Sequence, residues 1–182
     1  MIARFVRPIL LILFLIVVPP FFYLLNYSQT IPTNYGKEDS YELPHPGIAP
    51  DNPLYPVKEL RDELLIFFSQ DNITRAQYNL LLSDKKTKAG EFLVEERKYQ
   101  LAGQTFLAAE KDYGEALKSI KSAIDLGDQA NVEFVGKLTR SNAKHSLVMQ
   151  TMKQKFPRTL QTELQAAQQL NHDNSVLLLG LQ

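Results

Sequence analysis

Hydrophobic positions follow three regimes along the chain. From Pro8 to Leu25 every residue is apolar or aromatic, Arg4 and Arg7 precede the run, and no charge follows until Lys37. Between Asn26 and Pro53 prolines and turn formers replace any periodicity. Beyond that point apolar residues return every three or four positions, the repeat of an amphipathic helix. The clearest case is Tyr99, Ala102, Phe106, Ala109, Tyr113, Ala116, Ile120 and Ala123, which predicts a helix with one core-facing stripe. Val135, Leu138, Asn142, His145, Met149, Met152 and Phe156 repeat that spacing, with Gly127 placed to end one helix and Asp128 to cap the next.

Three further helices are expected. In the first, Val57, Leu60, Leu64 and Phe67/Phe68 form a stripe predicted to face the core, opposite Lys58, Glu59, Arg61, Asp62 and Glu63. The second runs from Ile73 to about Arg97, capped by Asp71 or Asn72. It has two candidate faces: Tyr78, Leu82, Ala89, Phe92 and Leu93, or the smaller Leu80, Ser83, Thr87 and Gly90, which would permit close helix approach. The last is glutamine-rich, begins after Pro157 with Leu160, Leu164, Ala167 and Asn171 inward, and gives way to a predicted turn at Asn171–Asn174 before the apolar tail Val176–Leu181. No stretch alternates with period two. The expected fold is all-α: an N-terminal transmembrane helix (1–27), a proline-rich extended linker (28–52) and an extracytoplasmic antiparallel bundle of four to five helices (53–182).

As a helix, Pro8–Leu25 would span roughly 27 Å, enough to cross a hydrocarbon core. Pro19-Pro20 would kink it rather than end it. Arg4 and Arg7 before the segment, against Glu38, Asp39 and Glu42 after it, favour a cytoplasmic N-terminus. The competing reading is a cleaved signal peptide with Ile9–Val18 as its apolar region. Phe21 to Leu25 are too bulky for a cleavage site, which leaves only Ser28-x-Thr30 as a candidate. An uncleaved single-pass anchor in the cell membrane is expected, with the membrane itself as the first partner.

Chemistry is harder to find. Lys plus Arg equals Asp plus Glu at 20 each in 182 residues, so no net field would recruit nucleic acid. There is no cysteine, hence no disulfide and no thiolate metal site. His45, His145 and His172 are scattered, giving no metal pair and no triad. Asp62-Glu63 and Glu95-Glu96 are helix neighbours that do not face each other, so neither is an acid/base pair. Lys85, Lys86 and Lys88, without interleaved aromatics, read as a solvated face. No enzyme activity, metal or cofactor is expected. One candidate stands apart: Asn142 and His145 are polar residues three apart on an apolar stripe. They are expected to be buried and to satisfy each other, a backbone carbonyl or water, or else to line a pocket between helices.

The segment leading into the bundle carries the most distinctive pattern, LPxPGIxPDxPLYP, formed by Leu43, Pro44, Pro46, Gly47, Ile48, Pro50, Asp51, Pro53, Leu54, Tyr55 and Pro56. With the Lys58-Glu59-Leu60-Arg61-Asp62 that follows, it resembles the bacterial family called domain of unknown function 5667 over about Leu43–Ile124. Ser83 to Ala89 departs from that family's alanine-rich pattern. The resemblance implies a bacterial, extracytoplasmic helical module and brings no activity or catalytic residue with it. Prolines at 50, 53 and 56 limit the freedom of this lead-in, so Tyr55 is expected to act as a buried anchor folding it against the bundle. The functional expectation is a membrane-anchored domain working through protein contact, with another envelope protein as a possible partner. The alternative is a tetratricopeptide-like peptide-binding or scaffolding module, suggested by Tyr99, Ala102-Gly103, Phe106 and Ala116, although no second repeat accompanies them.

Overall fold

Caps and breaks written into the sequence divide the chain into five helices: α1 Tyr55–Phe67, α2 Asn72–Glu95, α3 Tyr99–Asp125, α4 Val132–Lys153 and α5 Thr162–Leu179, with a 3-10 turn at Arg158–Leu160. The computed structural model describes residues 41–69, 71–128 and 132–181. The expected anchor and the first part of the linker lie outside them. Among the described residues there is no strand, and no helix is long and apolar enough to cross a membrane.

Pro56 sits in the first turn of α1, where its missing N–H costs nothing. Asp71 caps α2, its carboxylate accepting from Thr74 N–H at 2.7 Å. Two closing turns need left-handed backbone. Arg97 (φ 60°) ends α2, with Lys98 N–H donating to the Leu93 carbonyl at 2.8 Å, and Gly127 (φ 91°) ends α3, with Asp128 N–H donating to Ala123 at 3.0 Å. Glycine takes up this backbone readily, whereas Arg97 does so at a cost of about 1 kcal/mol.

Helices α2 to α5 form a bundle in which α3 packs most closely on α2 and α5 rather than on α4, its successor in the chain. α2 and α3 share its most extensive interface, and α3 and α5 the next. Where α2 and α3 cross, a Cβ on Gly90 would lie 2.7 Å from the Phe106 ring, so the aromatic fills the space that glycine leaves. The small face of α2 turns inward, with Leu80, Ser83, Thr87 and Gly90 all buried; of the other candidate face Ala89 and Leu93 are buried as well, Tyr78 and Leu82 are half-buried, and Phe92 is exposed. The stripes expected on α3 and α4 face the core.

Two apolar clusters result. One gathers Ala76, Leu80, Tyr113, Ile120, Leu138 and Leu178, and the other Leu93, Phe106, Met149, Met152, Phe156 and Leu164. Each draws on all four helices, and each helix passes from one cluster to the other through a polar residue.

α1 overturns its expected orientation. Val57, Phe67 and Phe68 are 66%, 76% and 71% exposed, and Leu54 and Leu60 are more than half exposed. Lys58 and Asp62, predicted to face water, are instead 8% and 6% exposed. The cause is the surface beneath, where α2 and α3 present Lys85, Lys86 and Asp112 rather than apolar residues. Lys58 and Asp62 pair at 3.3 Å, Arg61 reaches Asp62 at 2.6 Å, and Lys86 lies 2.8 Å from Asp112. Lys85 and Lys86 of the expected solvated lysine face are therefore part of this covered layer, whereas Lys88 stays partly exposed and pairs with Glu91, and burial pulls the Lys85 ammonium below its ordinary range. The turn expected at Asn171–Asn174 is also absent. α5 runs straight through it, because the Asn171 and Asn174 amides spend their hydrogen bonds across the core instead of capping.

The lead-in belongs to the helical unit, which begins at Tyr41. Leu43 packs against the second apolar cluster, Pro46 is buried, and Asp51 pairs with Lys98 at 2.5 Å. Asn52 accepts from Leu54 N–H at 2.9 Å, which turns the chain into α1, and Gly47 takes a left-handed φ of 69°. Tyr55 is only half buried, with the Lys58 ammonium 5.0 Å from its ring centre, so the predicted anchoring role passes largely to Tyr41.

Candidate functional site

Between the two apolar clusters lies a sealed ionic layer to which every bundle helix contributes a charged or amide group. α2 supplies Asp84, α3 Glu110, α4 His145, and α5 Asn171 and Asn174, all of them buried. The His145 ring bridges the two carboxylates: Nε2–H donates to Asp84 Oδ1 at 3.0 Å and Nδ1–H to Glu110 Oε1 at 2.9 Å. Burial alone would strip the imidazole of its proton. The two hydrogen bonds and the negative charge behind them overcome that pull and raise the group to about 9, so at neutral pH it is an imidazolium held between anions.

The remaining lone pairs are used as well. Asp84 accepts from Ser141 Oγ at 2.6 Å and, on its other oxygen, from the Tyr41 hydroxyl. Glu110 accepts from Asn171 Nδ2 at 3.2 Å and Asn174 Nδ2 at 3.3 Å, and its backbone carbonyl takes a second hydrogen from the Asn174 amide at 2.9 Å. Tyr113 stands edge-on to the imidazole with ring centres 5.9 Å apart, its hydroxyl committed to the Leu138 carbonyl at 2.8 Å. Burial and the neighbouring carboxylates push both tyrosine hydroxyls far above their ordinary range, so they act here only as donors. Every oxygen and nitrogen of the His–Asp–Glu set is therefore satisfied, as buried charges require. Among the described residues no set of three or more His, Asp or Glu side chains is arranged to hold a metal ion.

Tyr41 links the lead-in to this layer. Tyr41→Phe should leave a buried carboxylate oxygen without a donor and cost about 1–2 kcal/mol, measured as a lowered denaturation midpoint. Tyr55→Ala, which removes a half-exposed ring, should cost less than truncation of a fully buried aromatic.

The sequence-predicted pair Asn142 and His145 is buried; of the expected partners, Asn142 finds a backbone carbonyl rather than His145, and it also lines a groove between helices. Asn142 Nδ2 donates to the Asn171 carbonyl and Asn171 Nδ2 to the Asn142 carbonyl, both at 3.3 Å, which staples α4 to α5. Above that staple α4 and α5 part into a groove of about 560 Å³. Its walls carry Ser146, Gln150, Lys153, Gln168, His172 and Ser175, and Asn142, Met149 and Asn171 form its floor. It is amide- and hydroxyl-lined, with a single lysine as its strong charge.

Of the other positions singled out, Pro44, Pro46, Gly47, Pro50, Asp51, Pro53, Leu54, Tyr55 and Pro56 shape the lead-in and do not meet at one site. His45 accepts from Gly47 N–H at 3.1 Å and lies beside Phe92, far along the chain from His145, and His172 is exposed on the groove wall. The residues that sequence reasoning missed are Asp84, Glu110, Asn174, Ser141 and Tyr41. One signal was present: a lone acid interrupts the inward stripes of α2 and α3 midway along each, where His145 interrupts that of α4.

The fold and layer define an all-helical domain built around a buried ionic core. The pattern of the family described as domain of unknown function (DUF5667) matches residues 47–159, more than half of the chain, and the protein belongs to that family. The match runs beyond Ile124 through α4 to the 3-10 turn. No curated protein and no solved structure matches the chain.

Proposed function

We propose that this protein is a membrane-anchored, extracytoplasmic helical domain that binds another envelope component by contact and catalyses no reaction. The observation carrying the contact role is the α4–α5 groove, whose volume suits a bound peptide segment and whose amides and hydroxyls match the donors and acceptors of a polypeptide backbone. Its floor is held by the Asn142–Asn171 staple and, through Asn171, by the ionic layer, so the groove is pre-organised and loses little freedom when filled. The imidazolium layer itself is closed to solvent, and its oxygens and nitrogens already have partners, which favours a structural role for His145, Asp84 and Glu110. The anchor rests on the apolar run Pro8–Leu25 with Arg4 and Arg7 before it and acidic residues after.

The tetratricopeptide-like alternative fits less well. Its period of about 34 residues must hold two helices, whereas α2 and α3 together occupy 72–125. A photo-crosslinking residue at Gln168, in the full chain in living cells, should yield a discrete protein adduct that disappears when Ser146→Arg fills the groove. Protease added to intact spheroplasts should digest the helical domain. Protection until lysis would refute the topology, and a smear of adducts insensitive to the groove substitution would refute the contact site.

A further inference from the structure

We propose that the outward face of α1 is a lipid-contact surface, which lays the helical domain against the bilayer crossed by its own N-terminal anchor. This rests on the anchored reading above. Five large side chains, Leu54, Val57, Leu60, Phe67 and Phe68, stand more than half exposed on this one helix, and the two phenylalanines pack edge to face with ring centres 5.3 Å apart. Together they expose on the order of 500 Å² of apolar surface, the size at which a patch on a monomer usually has a use. The orientation is enforced, because turning α1 over would lay its apolar side chains on Lys85, Lys86 and Asp112 and bury those charges without the company of Lys58 and Asp62.

The chain leading to α1 selects the occupant. The apolar run ends at Leu25, and Tyr41 is already bonded to Asp84 inside the bundle. The roughly fifteen residues between them reach at most about 50 Å, little more than the roughly 40 Å length of α3. A domain held on so short a leash meets the bilayer at an effective concentration that no diffusing partner matches. The patch is bordered by Glu59 and Glu63 on one edge, while Arg61 on the other is tied to Asp62. That rim lacks the basic residues that bind anionic headgroups, so the attachment is apolar. A second copy suits the face poorly: about 500 Å² a side falls short of a standard interface, and an antiparallel two-fold pairing presents the acidic edge to its own copy.

The chain contains no tryptophan, so Phe67→Trp in the full chain is a single fluorescent reporter at an exposed position. In phosphatidylcholine vesicles, lipid brominated near the headgroup should quench its emission at least twofold, unaffected by salt or by admixed anionic lipid. Adding Leu60→Glu and Phe68→Glu should abolish the quenching while leaving helical circular dichroism and vesicle flotation intact. Unquenched emission from a chain that floats with the vesicles overturns the lipid contact and leaves the anchor standing. If that emission is also blue-shifted and grows with protein density, a second copy covers the face instead. A chain that fails to float overturns the anchor and the contact together.

Discussion

Replacing His145 with alanine should cost the helical unit on the order of 4 kcal/mol at neutral pH, read as a lowered denaturation midpoint. The substitution leaves Asp84 and Glu110 buried without the cation that both of them grip, and breaking a buried pair from one side typically costs about 3–5 kcal/mol. A fully neutral layer, Asp84→Asn with Glu110→Gln and His145→Gln, should recover a large part of that loss, because it strands no charge. The pH dependence has a definite sign. The folded imidazole holds its proton to about pH 9, whereas in the unfolded chain it releases it near 6.5. The folded state therefore binds more protons between those values, so this contribution is complete below about 6.5 and disappears as pH rises through 9. The amount at stake is on the order of 3 kcal/mol. Urea denaturation of a fragment starting at Tyr41, repeated from pH 6 to 10, reads it directly. A flat profile, or a His145→Ala midpoint close to wild type, would remove the imidazolium from the account.

Truncation of Phe106 should be nearly as damaging. Phe106→Ala empties the contact between α2 and α3 and should cost about 3–5 kcal/mol. Gly90→Ala should cost about 1–3 kcal/mol for the opposite reason, since its methyl would lie 2.7 Å from a ring that is itself fully buried and has nowhere to move. The two changes should not add. With the ring gone the Gly90→Ala methyl enters vacated space and gains helix propensity, so the second substitution should become neutral or stabilising in the first background. Strictly additive losses would show that the residues do not share the contact.

Helices α3 and α4 were legible because their inward faces are long, regular and mostly apolar, so period alone locates them. α1 is equally regular, yet its apolar stripe faces outward: periodicity reports that a helix has two faces, and only the surface beneath decides which is covered. Here that surface carries Lys85, Lys86 and Asp112 from elements 20 to 50 residues away. The Asn171–Asn174 turn failed for a related reason. Asparagines favour turns when their amides find only local partners, whereas these find Glu110 some sixty residues away. Of the site, His145 and Asn142 could be picked out as polar interruptions of a stripe, but their true partners sit on other helices. Asp84 carries only the weak local signal of a lone acid on the small-residue stripe of α2, and the Ser83 and Lys85 that flank it make that stripe easy to read as solvated.

The position of the ionic layer, midway between two apolar clusters, sets the register of the bundle. Alanine, leucine and methionine faces can slide past one another by a helical turn and still bury comparable area, because dispersion contacts discriminate weakly between similar knobs. The layer has no such tolerance. Moving α4 by one turn, about 5.4 Å, would bring Ser141 or Met149 to the level of Asp84 and Glu110 and leave two carboxylates facing each other without a cation. Misaligned packings of this chain are thereby penalised by charge rather than by shape. The same buried groups that contribute little net attraction to the correct fold act as a vernier, singling out one alignment of four helices from several that the apolar surfaces would accept.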